Sequence, residues 1–369
     1  MSPSPSALIS EVGVSIWLDD LSKDRLTSGS LQLLMDQHHV VGVTSNPTIF
    51  AGAVAGSDSY AEDLADMAKA GASPEEAVFE VMIGDIRGAC DLMRPVFDAT
   101  SGQDGRVSLE VSPLLAHDTA GTIAQAIELW GRVDRRNLMI KIPATKAGIP
   151  AITEVIGQGI SVNVTLIFSL ERYAEVIDAY FAGIEKALAD GHDVSSIRSV
   201  ASFFVSRVDS AIDARLDLLG SEEASAVRSQ AAIANARLAY ELFQARHASD
   251  RSRELMNQGM HLQRPLWAST GVKDPALPPA YYVTELAVSS VVNTMPEKTL
   301  LALESERVPG GDRVSGHFDA ARETLRVLGE LGISMGAVTD ELEADGVEKF
   351  VQSWRELLET VQQAMSGPE

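Results

Sequence analysis

A single lysine interrupts the aliphatic run Leu138-Met-Ile-Lys141-Ile-Pro143, and two carboxylates, Asp19 and Glu110, close runs of similar character. In water a lysine has a pKa of ~10.4, so only about one in 2,500 is a free amine at pH 7. Burial in a low-dielectric interior disfavours the charged form and exposes a nucleophilic amine for attack on a carbonyl. Forming and breaking an imine also moves protons, for which Asp19 and Glu110 are candidate general acid–base groups. Together these residues point to Schiff-base chemistry, provided the fold brings them together. A structural pairing of Lys141 with Glu110 would use the same residues without catalysis.

Other chemistries find less support. The sequence contains no HExxH, no CxxC, no GxxxxGK[ST] and no GxGxxG after a strand, and its seven histidines are scattered apart from His38-His39. Cys90 is the only cysteine, which excludes an intrachain disulfide and a thiolate cluster. No metal site and no dinucleotide cofactor are expected. In His117-Asp118-Thr119 the polar residues precede an apolar helical segment, the usual setting of an N-cap.

The elements that must position Lys141 are short apolar strands alternating with helical segments. Strands are expected near Val14–Asp19, Val40–Ser45, Arg106–Val111, Leu138–Pro143, Ser161–Ile167, Val200–Val205, Pro265–Ser269 and Ser290–Thr294. Between them, Ser169 to Gly191 illustrates the helical pattern: an N-cap candidate, apolar Tyr173, Val176, Ile177, Tyr180, Ile184 and Leu188 at three-to-four spacing, and a stop glycine. Helical crossovers imply parallel pairing, and eight such units favour an α/β fold of the closed (β/α)8 type, a TIM barrel, over an open doubly wound sheet. Extra helices are expected over Asp58–Leu92 and Asp213–Met260. A last helix, striped by Val347, Phe350, Val351, Trp354, Leu357, Leu358 and Val361, should pack on the barrel body in a structural role. Residues 1–12 are expected to form a disordered tail and residues 13–369 a single domain.

Both faces of a barrel strand are buried, so polar residues of one parity stand out. In the fourth strand Leu138, Ile140 and Ile142 share one side, which leaves Lys141 on the other. Glu110 and Ser108, Asn163 and Thr165, Thr44 and Asn46, and Asp19 fall on the corresponding side of their strands. Asp19, Asn46, Glu110, Lys141 and Thr165 all come late in their strands, and barrel active sites lie at the carboxyl ends. Antiparallel strands with one wet face would produce the same alternation, and any one of these residues alone would suit a solvated loop.

The 369 residues carry a formal net charge of −22 and are 45% hydrophobic, enough apolar material for a large core. So acidic a chain repels nucleic acid and anionic membranes. A small phosphorylated substrate remains compatible, because basic groups in a cleft are screened from distant charges beyond ~8 Å. Met1-Ser-Pro-Ser-Pro-Ser-Ala7 has neither the basic region nor the apolar run of a secretory signal, and no stretch has the length of a membrane span. A cytoplasmic protein is expected.

Four segments carry a family resemblance. Gly42-Val-Thr-Ser-Asn-Pro-Thr48, Val107-Ser-Leu-Glu-Val111, Met139-Ile-Lys-Ile-Pro-Ala-Thr145 and Gly159-Ile-Ser-Val-Asn-Val-Thr-Leu-Ile-Phe-Ser169 resemble, in order, the motifs of transaldolases of the longer bacterial type. The resemblance implies a (β/α)8 barrel without a cofactor, acting as a monomer or homodimer on sugar phosphates. Its reaction would reversibly transfer dihydroxyacetone from sedoheptulose 7-phosphate to glyceraldehyde 3-phosphate, giving erythrose 4-phosphate and fructose 6-phosphate. By resemblance, Lys141 is the Schiff-base lysine, Asp19 removes the C4 hydroxyl proton, and Glu110 with Thr165 handles the water of imine formation. Asn46, Asn163 and Ser202 match positions that hold donor hydroxyls, and Arg207 matches a phosphate arginine. Where many members carry a serine and, two residues on, an arginine, this chain has Ser269-Thr-Gly-Val-Lys273, so Ser269 and Lys273 are expected to substitute. The alternative is a fructose 6-phosphate aldolase-like enzyme releasing free dihydroxyacetone; those chains are shorter and differ at the position of Glu110.

Overall fold

The computed structural model describes residues 3–366. Eight strands, β1 (Val14–Asp19), β2 (Val40–Thr44), β3 (Arg106–Glu110), β4 (Leu138–Pro143), β5 (Val162–Ile167), β6 (Ser199–Phe204), β7 (Arg264–Ala268) and β8 (Val291–Met295), pair in order, all parallel. β8 closes on β1, which makes the sheet a barrel. Each strand lies within one residue of its expected limits. The strands are buried along almost their whole length, as expected when helices cover one face and side chains fill the lumen.

The helices begin and end where local chemistry predicts. Of those that matter to the site, α1 is Pro5–Val12, α2 Pro47–Ala55, α3 Pro74–Ala99, α4 Leu170–Ala189, α5 Ser206–Leu219 and α6 Met335–Ser366. Ser169 caps α4 by accepting from the Arg172 amide, and Gly191 follows at φ 82°. Ser73 and Glu76 form a reciprocal capping box on α3. Asp118 caps the helix Thr119–Val133 through the Gly121 amide, so the His117-Asp118-Thr119 triplet is structural.

One expectation is corrected. The N-terminal segment is not a tail from Pro5 onward: Ser4 caps α1, Pro5 sits in its first turn, and Ile9 is fully buried in the core. The Ser/Pro-rich composition concealed one apolar anchor on a short capped helix. Met1, Ser2 and residues 367–369 lie outside the described residues. Helix α6 packs on the barrel as expected, with its stripe buried apart from half-buried Leu358. This helix contacts α2, α3, α5 and β5, elements on different sides of the barrel, and so crosses the carboxyl-end mouth.

Candidate active site

Strand register decides which side chains meet. Glu110 is the ladder partner of Lys141, and Lys141 of Asn163, so the three side chains emerge side by side into the lumen. Lys141 is 5% exposed and Glu110 2%. The amine lies 3.1 Å from Glu110 Oε2, donates to the Ser45 carbonyl at 3.0 Å, and sits 5.7 Å from the centre of the Phe350 ring. The proton that an amine must lose before attacking a carbonyl therefore has an acceptor in direct contact. Burial raises the Glu110 carboxyl above its ordinary range, with Lys141 opposing the rise, which makes Glu110 the stronger base.

Asp19 ends β1 on the same side. It accepts from Thr44 Oγ1 at 2.7 Å, and Thr44 in turn lies 2.6 Å from Thr294 Oγ1. Burial raises its carboxyl too, while the Lys141 charge and the Thr44 hydrogen bond pull it back. Asp20, by contrast, turns to Arg25. This separates the two adjacent aspartates as the strand parity predicts.

A cavity of about 170 Å³ opens above the amine. Of the ten residues singled out from sequence, Asp19, Asn46, Lys141, Thr165, Ser202, Arg207, Ser269 and Lys273 line it. Glu110 and Asn163 stand behind the wall: Glu110 touches the amine, while Asn163 donates to Ser108 Oγ and accepts from Ser202 Oγ at 2.7 Å. Asn46 caps α2 with its oxygen, accepting from the Ile49 amide at 3.0 Å. A larger cavity of about 340 Å³ lies at the other end of the barrel. Volume does not select the site; converging polar groups with perturbed carboxyls do.

Several polar atoms here have no partner among the described residues. Thr165 Oγ1 and Glu110 Oε1 are buried and unbonded, as is Arg207 Nη1. Buried polar groups are normally satisfied, so such atoms are the ones available to reacting species. Arg207 stands in the first turn of α5, its guanidinium 5.2 Å from the centre of the Phe204 ring. Burial lowers its basicity, with Asp345 and Asp19 opposing. Lys273 is exposed at the rim and forms no ion pair among the described residues.

The transaldolase/fructose-6-phosphate aldolase family model matches residues 16–361. The chain belongs to this family. A transaldolase of Thermobifida fusca is 55% identical over 364 residues, covering 99% of each chain. Transaldolase 1 of Streptomyces avermitilis is 56% identical over 359 residues, 97% of this chain and 95% of its own, and a transaldolase of Parafrankia sp. is 53% identical over 98% of each. The (β/α)8 barrel expected of the family is the observed fold.

Sequence reasoning left out Thr294, Phe204 and Phe350, all on the cavity wall. Thr44 was visible by parity but given no role. Phe350 had no distinguishing signal, because it reads as one more apolar position in a helical stripe. Phe204 adjoins Ser202 at inward spacing, and that spacing could have found it.

Proposed function

We propose that the chain works as a transaldolase through an imine on Lys141, with Glu110 and Asp19 as its proton-transfer groups. The observation that carries this reading is a buried amine touching one carboxylate, with a second carboxylate beside it, beneath a cavity at the carboxyl end of the barrel. The amine attacks the donor ketone after passing a proton to Glu110. Glu110 and the unbonded Thr165 hydroxyl then hold and protonate the departing water, leaving a protonated imine. Asp19 takes the C4 hydroxyl proton, the C3–C4 bond breaks, and its electron pair moves into the imine to give an enamine. Addition of an acceptor aldehyde reverses these steps, with Asp19 returning the proton to the new alkoxide.

Specificity follows from the wall. Asn46, Ser202 and, behind them, Asn163 suit the donor hydroxyls. Arg207 has an unpaired N–H for a phosphate, and its planar fork fits that group; Lys273 adds a point charge at the rim, beside Ser269. The substrates would be sedoheptulose 7-phosphate and glyceraldehyde 3-phosphate, in the nonoxidative pentose phosphate pathway of the cytoplasm. Among the described residues no helix is long and apolar enough to cross a membrane. We read residues 13–369 as one domain because one continuous apolar core joins barrel and outer helices; α1 belongs to that core as well.

Borohydride reduction in the presence of fructose 6-phosphate should fix a three-carbon adduct on Lys141, located by peptide mass. Lys141→Ala should lose trapping and transfer while its circular dichroism stays native. Normal turnover by that variant would end the proposal. Dihydroxyacetone release at an undiminished rate without an acceptor would instead identify an aldolase.

A further inference from the structure

The amino ends of the strands gather charge opposite in sign to that of the whole chain. Arg106 opens β3, Arg264 opens β7, and Arg198 immediately precedes β6. Arg106 is 1% exposed and Arg264 7%, yet among the described residues only Arg264 meets a carboxylate, Asp104 at 2.9 Å. Arg106 donates to the Gly102 and Arg136 carbonyls and to Ser161 Oγ. Arg198 donates to the carbonyls of Ser195, Ile197 and Ser101. Most of their N–H groups have acceptors among the described residues, but the charges of buried Arg106 and half-buried Arg198 have no carboxylate partner there, and buried charges are normally paired. The mutual repulsion is visible in Arg106, which burial first, and then Arg198 and Arg264, hold down to about 9.

These arginines border space. A cavity of about 190 Å³ is lined by Trp17, Arg106, Arg198, His261 and Arg264 among others. The cavity of about 340 Å³ shares Arg106 and Arg198. Its carboxylates are already engaged, Asp98 by Arg94 and Asp193 by Ser195. Adjacent carbonyls of Ser101 and Gly102, both in left-handed backbone, fix Arg198 and Arg106 before any ligand arrives. Of the five N–H groups on each guanidinium, Arg106 leaves one and Arg198 two without an acceptor among the described residues.

We propose that this mouth binds a phosphate-type oxyanion, as inorganic phosphate or as the phosphate end of a monoester, at the end of the barrel opposite Lys141. Guanidinium forks match phosphate oxygens, and the arginines are already ordered by their carbonyl anchors, so little side-chain freedom is lost on binding. The anion would supply the counter-charge that Arg106 and Arg198 lack.

Calorimetric titration of the full chain with inorganic phosphate at low ionic strength tests this, using Arg207→Gln to remove the donor-phosphate contact. One saturable site should persist in Arg207→Gln. Adding Arg198→Gln should weaken it about tenfold or more, the range for a hydrogen bond to a charged group. Ser196→Glu, which sets a carboxylate at the exposed rim of the same mouth, should also weaken it, and it decides the matter if Arg198→Gln fails to fold. Glycerol phosphate binding more tightly than inorganic phosphate identifies a monoester site; equal or weaker binding identifies a site for the free ion. No saturable binding in Arg207→Gln, or binding indifferent to both further substitutions, overturns the proposal.

Discussion

Phe350→Ala removes the aromatic ring that faces the Lys141 amine from α6. The ring is 5% exposed and lies on the cavity wall. Truncating a buried phenylalanine costs about 3–5 kcal/mol. With an unfolding entropy of roughly 2.1 cal/mol/K per residue over 369 residues, a loss of about 4 kcal/mol lowers the melting temperature by about 5 °C. Helix α6 should stay docked, since Val347, Val351, Trp354, Leu357 and Val361 remain buried beneath it. The functional consequence is separate from this cost. In the proposed mechanism the enamine has to survive until an aldehyde arrives, and the ring would cover it from water and stray protons. Opening that cover should raise free dihydroxyacetone released per transfer by roughly fivefold, for about 1 kcal/mol of lost preference. The assay quantifies released dihydroxyacetone against transferred product at saturating erythrose 4-phosphate. Phe350→Leu, which keeps an apolar cover, should partition nearly as the parent does. A lower melting temperature with unchanged partitioning in Phe350→Ala would refute the covering role.

Arg207→Gln should raise KM for phosphorylated donors by roughly ten- to a hundredfold, the loss of a charged hydrogen bond, with less effect on kcat; steady-state kinetics should show no matching loss with unphosphorylated fructose. In Gly42→Ala the added Cβ would come 2.5 Å from the fully buried Trp17 ring, which Asp104 holds through Nε1. That overpacking should cost about 1–3 kcal/mol in urea unfolding. Asp209 accepts from the Ala232 amide and from Tyr282, and burial pushes its carboxyl up to about 6. A raised carboxyl means that the folded chain holds the proton more firmly than the unfolded one. Stability should therefore fall as pH rises from about 4 to about 6, by about 3 kcal/mol for two pKa units. Asp209→Asn should flatten that slope in urea midpoints measured across the window.

How much was legible depended on whether position along the chain encodes position in space. For the strands it does: the two-residue alternation around Lys141, Glu110 and Thr165 assigned each to the lumen, because β geometry leaves two sides to choose from. The carboxyl-end location followed from parallel pairing. Phe350 was hidden for the converse reason. Its helix is joined to the barrel by a long excursion, and nothing in a 3.6-residue stripe says which apolar side chain will overhang a cavity. α1 was hidden by composition, since the residues that precede and open it, Ser2, Pro3, Ser4 and Pro5, alternate serine with the proline breaker and so read as a tail. Here Ser4 and Pro5 are instead a cap and a first-turn residue.

The site and its covering helix are linked through the backbone of β5. Leu166, next to Thr165, has φ 60°, an unfavourable conformation for a branched side chain that costs about 1–3 kcal/mol. Ladder register between β5 and β6 breaks between Val164 and Ile167, so Leu166 leaves the regular parity that would have turned it to the helices. Its side chain lies instead against Gly346 of α6, so close that a Cβ there would come within 3.0 Å of it. The same glycine lets α6 pass 3.7 Å, measured from that Cβ position, from Arg207 Nη1, and four residues on the helix presents Phe350 to the amine. One helix thus packs against the strained residue beside Thr165, the Arg207 guanidinium, unpaired among the described residues, and the Lys141 amine. The bend at Leu166 persists because α6 buries the side chain it displaces, and α6 can descend that far only where its own side chain is absent.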